Sequence, residues 1–183
     1  MLGVVQPRIP RQSAGEQGDR RPDGVDADAR FSAELAPVVS GARRRAVRDG
    51  DRQIDTAHLL HSLLEYDPEA RAVLGEGPRL ARLLGYLVQR SIGYGLRWQS
   101  TVEDSGSVPV VGGAAGFSPL AAAAMEDARA RAARRGAAEA CGIDLLAALV
   151  ADPQARAVEV LGRAAVDPRA VLARVDNHFE PTP

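Results

Sequence analysis

The chain contains an internal repeat, and this repeat constrains the fold more than any other feature of the sequence. Residues 31–64 align with residues 117–150 at an offset of 86 without gaps, and 12 of the 34 aligned pairs are identical. The matches include a Phe-Ser pair at the start, a glycine in the middle and a Leu-Leu pair near the end. A repeat of this kind predicts two similar supersecondary units that bury their apolar faces against each other.

Each copy of the repeat predicts four helices. Apolar residues recur at the helical period after each Phe-Ser pair, and short apolar helices follow over residues 56–66 and 142–151. Further periodic runs cover residues 79–94 and 168–179. The predicted fold is therefore all-α, a tandem pseudo-twofold repeat of two four-helix units. Its predicted parts are a disordered tail (1–29), repeat 1 (30–94), a linker (95–116), repeat 2 (117–179) and a second tail (180–183).

Capping residues and prolines mark the predicted helix boundaries. Ser118 followed by Pro119 predicts an N-cap with proline in the first turn. Gly50 and Gly136 predict the ends of the two long helices. The N-cap-plus-proline pattern recurs at three more places, Asp67-Pro68, Asp152-Pro153 and Asp167-Pro168.

Pro37 conflicts with the simplest assignment of the first helix. If Ser32 caps that helix, Pro37 removes a backbone hydrogen bond and kinks it. The alternative is a helix that begins later, near Ala36.

The composition excludes several classes of function. All 23 basic residues are arginines, so the chain has no lysine for a P-loop or for Schiff-base chemistry. One cysteine, Cys141, excludes an internal disulfide framework. The 24 acidic residues leave a net charge of -1, and aromatic residues make up only 4%. Both values disfavour a nucleic-acid binder. We expect a protein that is not an enzyme and needs no cofactor.

The first 29 residues lack the apolar run of a signal peptide, and no 18-residue apolar span occurs in the sequence. We expect a cytoplasmic protein. Trp98 in the linker is either an exposed anchor for a partner or, as we prefer, a residue that fastens the linker to the helices.

Three further patterns have both a functional and a structural interpretation. His58 and His61 have a spacing that permits a metal, but no HExxH motif supports one, so we expect one structural histidine at position 58, one surface histidine at position 61 and no metal. Cys141 is expected to be a structural or exposed thiol rather than a nucleophile. The arginine clusters within 43–48 and 129–135 leave open a nucleic-acid or transcriptional regulatory role, although interleaved acids favour solvated helix faces.

One segment resembles a known family. The run Thr-Ala-His-Leu-Leu-His-Ser-Leu-Leu at 56–64 follows a Phe-Ser start and an Ala/Arg-rich helix that ends at glycine. This order resembles the amino-terminal (Clp-N) domain of Clp-type AAA unfoldases, and it covers about residues 30–179. The resemblance implies a tandem of two four-helix repeats that receives substrates and adaptors. Because the sequence includes no ATPase module, it is most similar to stand-alone double Clp-N proteins.

The resemblance also implies where a ligand binds. In the family, a glutamate after the threonine of this motif helps to hold phosphoarginine, but Ala57 and Ile143 stand at the matching positions. These apolar residues speak against phosphoarginine as the ligand. We expect protein or peptide segments, Clp substrates, adaptors or a Clp ATPase to bind where the two repeats meet. The candidate site residues are Phe31, Ser32, Ala57, His58, Phe117, Ser118, Ile143 and Asp144.

Overall fold

The computed structural model describes residues 32–91, 103 and 116–179. Within these residues the regular secondary structure is helical, and Ile54 and Phe117 form an isolated bridge. The predicted all-α class is confirmed. The helices are α1 (Leu35–Asp49), α2 (Thr56–Tyr66), α3 (Pro68–Leu74), α4 (Pro78–Ser91), α5 (Pro119–Arg134), α6 (Gly142–Ala151), α7 (Arg156–Arg163) and α8 (Pro168–His178).

Several predictions fall on residues that the structure does not describe. Phe31, Trp98, both predicted tails and nearly all of the predicted linker lie outside the described residues. The domain boundaries and the superposition of the two repeats therefore stay predictions.

Most predicted helix boundaries are confirmed. The two short apolar helices begin and end at the predicted residues, and Ser118, Asp67 and Asp167 each accept a hydrogen bond from a backbone N–H of the helix they cap. Gly50 ends α1 in the left-handed conformation, with φ of 73°.

Asp152 does not cap a helix, so that prediction is wrong. Its side chain accepts a hydrogen bond from the backbone N–H of Gln154 at 2.7 Å and so closes a turn. Helix α7 begins later, at Arg156, whose backbone N–H donates to the distant Glu103 carboxylate at 2.7 Å. A long-range partner therefore sets this helix start.

Pro37 causes no conflict, because α1 begins at Leu35 and Pro37 is its third residue. An N–H in the first turn has no partner within the helix, so proline loses nothing there. Ser32 does not cap α1. The N-cap position belongs to Glu34, which makes no side-chain capping bond.

Helices α2 and α6 form the centre of the molecule. Residues 56–64 of α2 and 142–150 of α6 are all buried. Helix α1 packs on α2, and α5 packs on α6. The third helix of each repeat crosses to the other repeat, since α3 packs on α6 and α7 packs on α2. Each central helix is therefore covered from both sides of the repeat boundary.

Two backbone hydrogen bonds join the repeats in the same reciprocal way. The N–H of Ser118 donates to the carbonyl of Ile54 at 2.8 Å, and the N–H of Ser32 donates to the carbonyl of Ala140 at 3.3 Å. The sequence alignment pairs Ser32 with Ser118 and Ile54 with Ala140. The residue that lies just before each long helix thus donates a hydrogen bond to the loop that precedes the central helix of the other repeat.

None of the helices in the described ranges is both long enough and apolar enough to cross a lipid bilayer.

The α3–α6 contact generates a prediction at Gly142. A Cβ atom at this position would lie 2.6 Å from Cγ of Asp67 and 3.2 Å from Cδ1 of Leu63. Asp67 has little freedom to move, because its carboxylate caps α3 through the N–H of Ala70. We expect Gly142→Ala to lower the free energy of unfolding by about 1–3 kcal/mol, measured by urea denaturation.

Gly85 provides the matched control, since it lies within helix α4 and a Cβ there meets no atom within 4 Å. We expect Gly85→Ala to leave stability unchanged or to raise it by up to about 1 kcal/mol, because alanine favours helix. Equal effects of the two substitutions would contradict the close packing inferred at Gly142.

Candidate binding site around the starts of the central helices

The candidate site residues that the structure describes are mostly buried. Ala57 is fully buried, Ile143 is 1% exposed, and Ser118 is 1% exposed. Phe117 is also buried, while Ser32 is half-buried beside the first turn of α1. Because α2 and α6 are covered by helices from both repeats, their second residues face the interior. Ala57 and Ile143 therefore offer no surface to a ligand in this structure.

The same burial changes how these two positions can be tested. Substitution of either residue by glutamate would introduce the carboxylate that the resemblance implies, but it would also place a charge in the core. An unpaired buried carboxylate destabilises the folded state strongly. Gain of phosphoarginine binding is therefore not a usable test of Ala57 and Ile143.

His58 is buried beside three aspartates at the start of α2, of which Asp55 is buried and Asp49 and Asp51 are partly exposed. Its Nε2 atom is 3.2 Å from Oδ2 of Asp51 and 3.5 Å from Oδ2 of Asp49. Its Nδ1 atom is 2.9 Å from Oδ1 of Asp55, and the same carboxylate oxygen accepts the backbone N–H of His58 at 2.8 Å. The imidazole therefore ties the α1–α2 loop to the first turn of α2.

Two protonation patterns compete at His58. The backbone N–H of Asp55 points at Nδ1 over 3.1 Å, which favours a neutral ring. Burial also lowers the pKa of His58, but hydrogen bonds to Asp49, Asp51 and Asp55 outweigh it and raise the pKa from 6.5 to about 10. The two contacts of Nδ1 require different protonation states, and the raised pKa favours the protonated ring.

The two histidines of α2 do not share a site. His61 is also buried, so the expectation of a surface histidine at this position is wrong, and burial together with the nearby Arg45 lowers its pKa to about 4. Among the described residues, the group whose ligand atoms are close enough for one metal ion is Asp51, Asp55 and His58, within 4.8 Å of one another. Asp55 also binds Arg156 at 2.7 Å, so its carboxylate already has a cationic partner.

Asp144 occupies the matching position at the start of α6. It is fully buried, forms a salt bridge with Arg135, and accepts the backbone N–H of Cys141 at 3.0 Å. Cys141 is the N-cap residue, and its thiol lies 3.3 Å from Asp144. Burial raises the pKa of Cys141, so the thiol is a poorer nucleophile than an exposed one.

The two repeats have an ion pair at the same aligned positions, but the acidic and the basic partner have changed places. The sequence alignment pairs Asp49 with Arg135 and His58 with Asp144. In the first repeat the long helix supplies the acid and the central helix supplies the cation. In the second repeat Arg135, the C-cap residue of the long helix, supplies the cation and the central helix supplies the acid.

Glu103 was not predicted as a site residue, yet it joins three helix starts. It is 4% exposed, and its carboxylate accepts hydrogen bonds from the N–H of Thr56 at 2.9 Å and the hydroxyl of Ser118 at 2.8 Å. It also accepts the N–H of Arg156 at 2.7 Å and the hydroxyl of Thr56. The available sequence signal was a lone acidic pair, Glu103-Asp104, in a Gly-, Ser- and Val-rich segment.

An open groove lies directly beside these helix starts. Its volume is about 330 Å³, and it runs between α5, the end of α6 and the turn before α7. Its lining is mostly apolar, with two aspartates at the surface. The lining residues are Thr56, Leu120, Ala123, Ala124, Asp127, Ala148, Ala151, Asp152, Pro153 and Ala155.

Solved structures share this fold over 84% of the chain. The N-terminal domain of the caseinolytic protease associated chaperone ClpD from Arabidopsis thaliana aligns with a TM-score of 0.61 and 19% identity over 96% of that domain. A chain from structural work on a malarial protein secretion system aligns with a TM-score of 0.61 and 15% identity over 97% of its length. No protein-family model matches the sequence, and no curated protein does. The likeness therefore establishes the fold.

The aspartate cluster generates a pH prediction. The folded-state pKa of His58 is about 10, above the ordinary 6.5, so protonation stabilises the folded state. This contribution is complete below pH 6.5 and is lost as pH rises through 10. We expect the stability difference between the unmodified protein and His58→Gln to shrink steadily over that range, measured by denaturation at each pH.

His61→Gln is the matched control, because it makes the same substitution one helical turn later. His61 is neutral in the folded state throughout this range, since its folded-state pKa is about 4, and it is almost entirely neutral in the unfolded state above about pH 7.5. Its stability difference should therefore stay constant above about pH 7.5. A constant difference for His58→Gln as well would show that His58 is not protonated in the fold.

Proposed function

Because the chain has the fold of a Clp amino-terminal domain, we propose that it is a non-catalytic cytoplasmic module that binds protein or peptide segments. The observation that carries this proposal is the groove beside α5 and α6. The groove is open to solvent, whereas Ala57 and Ile143 are enclosed in the core. The binding surface is therefore displaced from the positions that the family resemblance implies.

The chemistry of the groove indicates the kind of segment that it accepts. Leu120, Ala123 and Ala151 contribute apolar surface, and small side chains leave room for one larger apolar side chain of a ligand. Asp127 and Asp152 add negative charge to the lining. We infer that the groove binds an apolar residue flanked by a basic one.

The proposed cellular role is that of an adaptor or a decoy in Clp-dependent proteolysis. The sequence has no lysine and therefore no P-loop, so the chain does not power unfolding by itself. A module that only binds can present a segment to an unfoldase, or it can withhold that segment. Both roles use the same groove and differ in the sign of their effect on degradation.

The alternative role in nucleic-acid binding has less support from the described arginines. Arg45 pairs with Glu65, Arg129 with Glu126, and Arg131 with Asp176 at 2.7 Å. Arginines that are paired with carboxylates release few counterions on contact with phosphates, which leaves only a weak nucleic-acid interaction. We therefore favour protein binding.

Proteolysis by the cognate Clp machine tests the proposal. Addition of the protein should change the degradation rate of a Clp substrate, with acceleration indicating an adaptor and slowing indicating a decoy. Ala123→Phe fills the groove with a large side chain, so we expect it to reduce this effect at least about tenfold, equivalent to a loss of roughly 1.4 kcal/mol of binding.

Ala130→Phe is the control on the same helix. Ala130 is exposed and lies two turns beyond Ala123, outside the groove lining. This variant should act like the unmodified protein. The proposal fails if saturating protein leaves degradation unchanged, or if both phenylalanine variants lose the effect equally.

A further inference from the structure

The environment of Glu103 is that of a bound anion rather than of an ordinary buried side chain. Each carboxylate oxygen accepts two hydrogen bonds, Oε1 from the Thr56 hydroxyl and the Arg156 N–H, and Oε2 from the Thr56 N–H and the Ser118 hydroxyl. All four contacts are donated to Glu103, which is the bonding pattern of an ionised carboxylate.

The donors come from three separate helices. Thr56 and Arg156 are the first residues of α2 and α7, and Ser118 is the N-cap of α5. Unpaired N–H groups and the helix dipole make each of these ends favourable for negative charge. Three such ends converge on one carboxylate, so the structure supplies both the cradle and an anion that fits it.

The hydroxyls in the cradle are held in place by other contacts. The hydroxyl of Thr56 accepts the N–H of Ala157 at 3.0 Å, and the hydroxyl of Ser118 accepts the N–H of Ala121 at 3.1 Å. With those acceptor roles filled, both hydroxyl protons are directed at the anion. The guanidinium of Arg156 also lies nearby, where it binds Asp55 at 2.7 Å.

We propose that this cradle is an oxyanion-binding site that the chain fills with its own Glu103 carboxylate. Glu103 lies 47, 15 and 53 residues from Thr56, Ser118 and Arg156, so it acts as an intramolecular ligand. An external phosphate or carboxylate group must compete with it at an effective concentration on the order of millimolar. Removal of the Glu103 carboxylate opens the site to these anions.

The cradle has a neighbouring space from which an anion can enter. Thr56 contributes to the cradle and to the open groove, and Ala155, next to Arg156, also lines that groove. The proposal concerns the anion alone and holds whether or not the groove binds a peptide.

Thermal unfolding of the full chain with Glu103→Ala tests the proposal. Inorganic phosphate and acetate serve as probes, each compared with chloride at equal ionic strength. We expect Glu103→Ala to melt below the unmodified protein in chloride. One probe should then raise its Tm by roughly 5 °C at about 100-fold above the Kd. A response to phosphate or to acetate identifies which oxyanion the cradle prefers.

Glu103→Gln is the matched control, because its side chain fills the same space without the charge. Phosphate stabilises folded proteins in general by exclusion from their surfaces. The decisive quantity is therefore the rise in the Tm of Glu103→Ala beyond that of Glu103→Gln and of the unmodified protein.

Equal responses of all three proteins, or no response to either probe, would overturn the proposal. If Glu103→Ala does not fold in chloride, its circular dichroism after refolding with each probe decides the question. Recovery of helicity with a probe, and not with chloride, supports the site. Failure to recover with both probes refutes it.

Discussion

Two helices buried along most of their length impose the main constraint on this fold, because the polar groups at their starts need partners inside the protein. The first nine residues of both α2 and α6 are buried. An unsatisfied buried N–H costs about 1–3 kcal/mol, a large share of the stability of a small protein. Asp55 accepts the N–H of His58, Glu103 accepts that of Thr56, and Asp144 accepts that of Cys141. The buried charges of this protein thus exist because its central helices are buried.

The burial of the two central helices also explains why each repeat packs a helix against the other repeat. Helix α3 covers α6, and α7 covers α2, so each central helix depends on the other repeat for part of its cover. The start of α7 also supplies two of the contacts at the start of α2, through the N–H of Arg156 to Glu103 and the N–H of Ala157 to Thr56. The packing of α7 on α2 therefore buries apolar surface and also provides hydrogen bonds for the polar groups at the start of α2.

The fold was predictable where local signals determine the structure. The apolar runs predicted the bounds of α2 and α6, because an apolar segment followed by an Asp-Pro pair leaves few alternatives for where the helix ends. The start of α7 was missed at Asp152, since its true determinant, Glu103, lies far away in the sequence. No local pattern could reveal that contact.

The candidate site was less predictable than the fold. Ala57 and Ile143 were placed in a groove by the resemblance, but apolar residues at these positions are equally consistent with core packing, and the structure buries both. The sequence also could not distinguish the roles of His58 and His61, which are three residues apart on the same helix. Burial lowers the pKa of both histidines, but folding places three aspartates beside His58, which reverse the effect, and Arg45 near His61, which adds to it.

The inverted ion pairs have a consequence for how such a gene can change. If recombination copied Asp144 into position 58, a fourth carboxylate would join Asp49, Asp51 and Asp55. If it copied His58 into position 144, the imidazole would face the guanidinium of Arg135. The first exchange buries like charges together, and the second removes the carboxylate that pairs with Arg135, so the two copies are not chemically interchangeable at these positions.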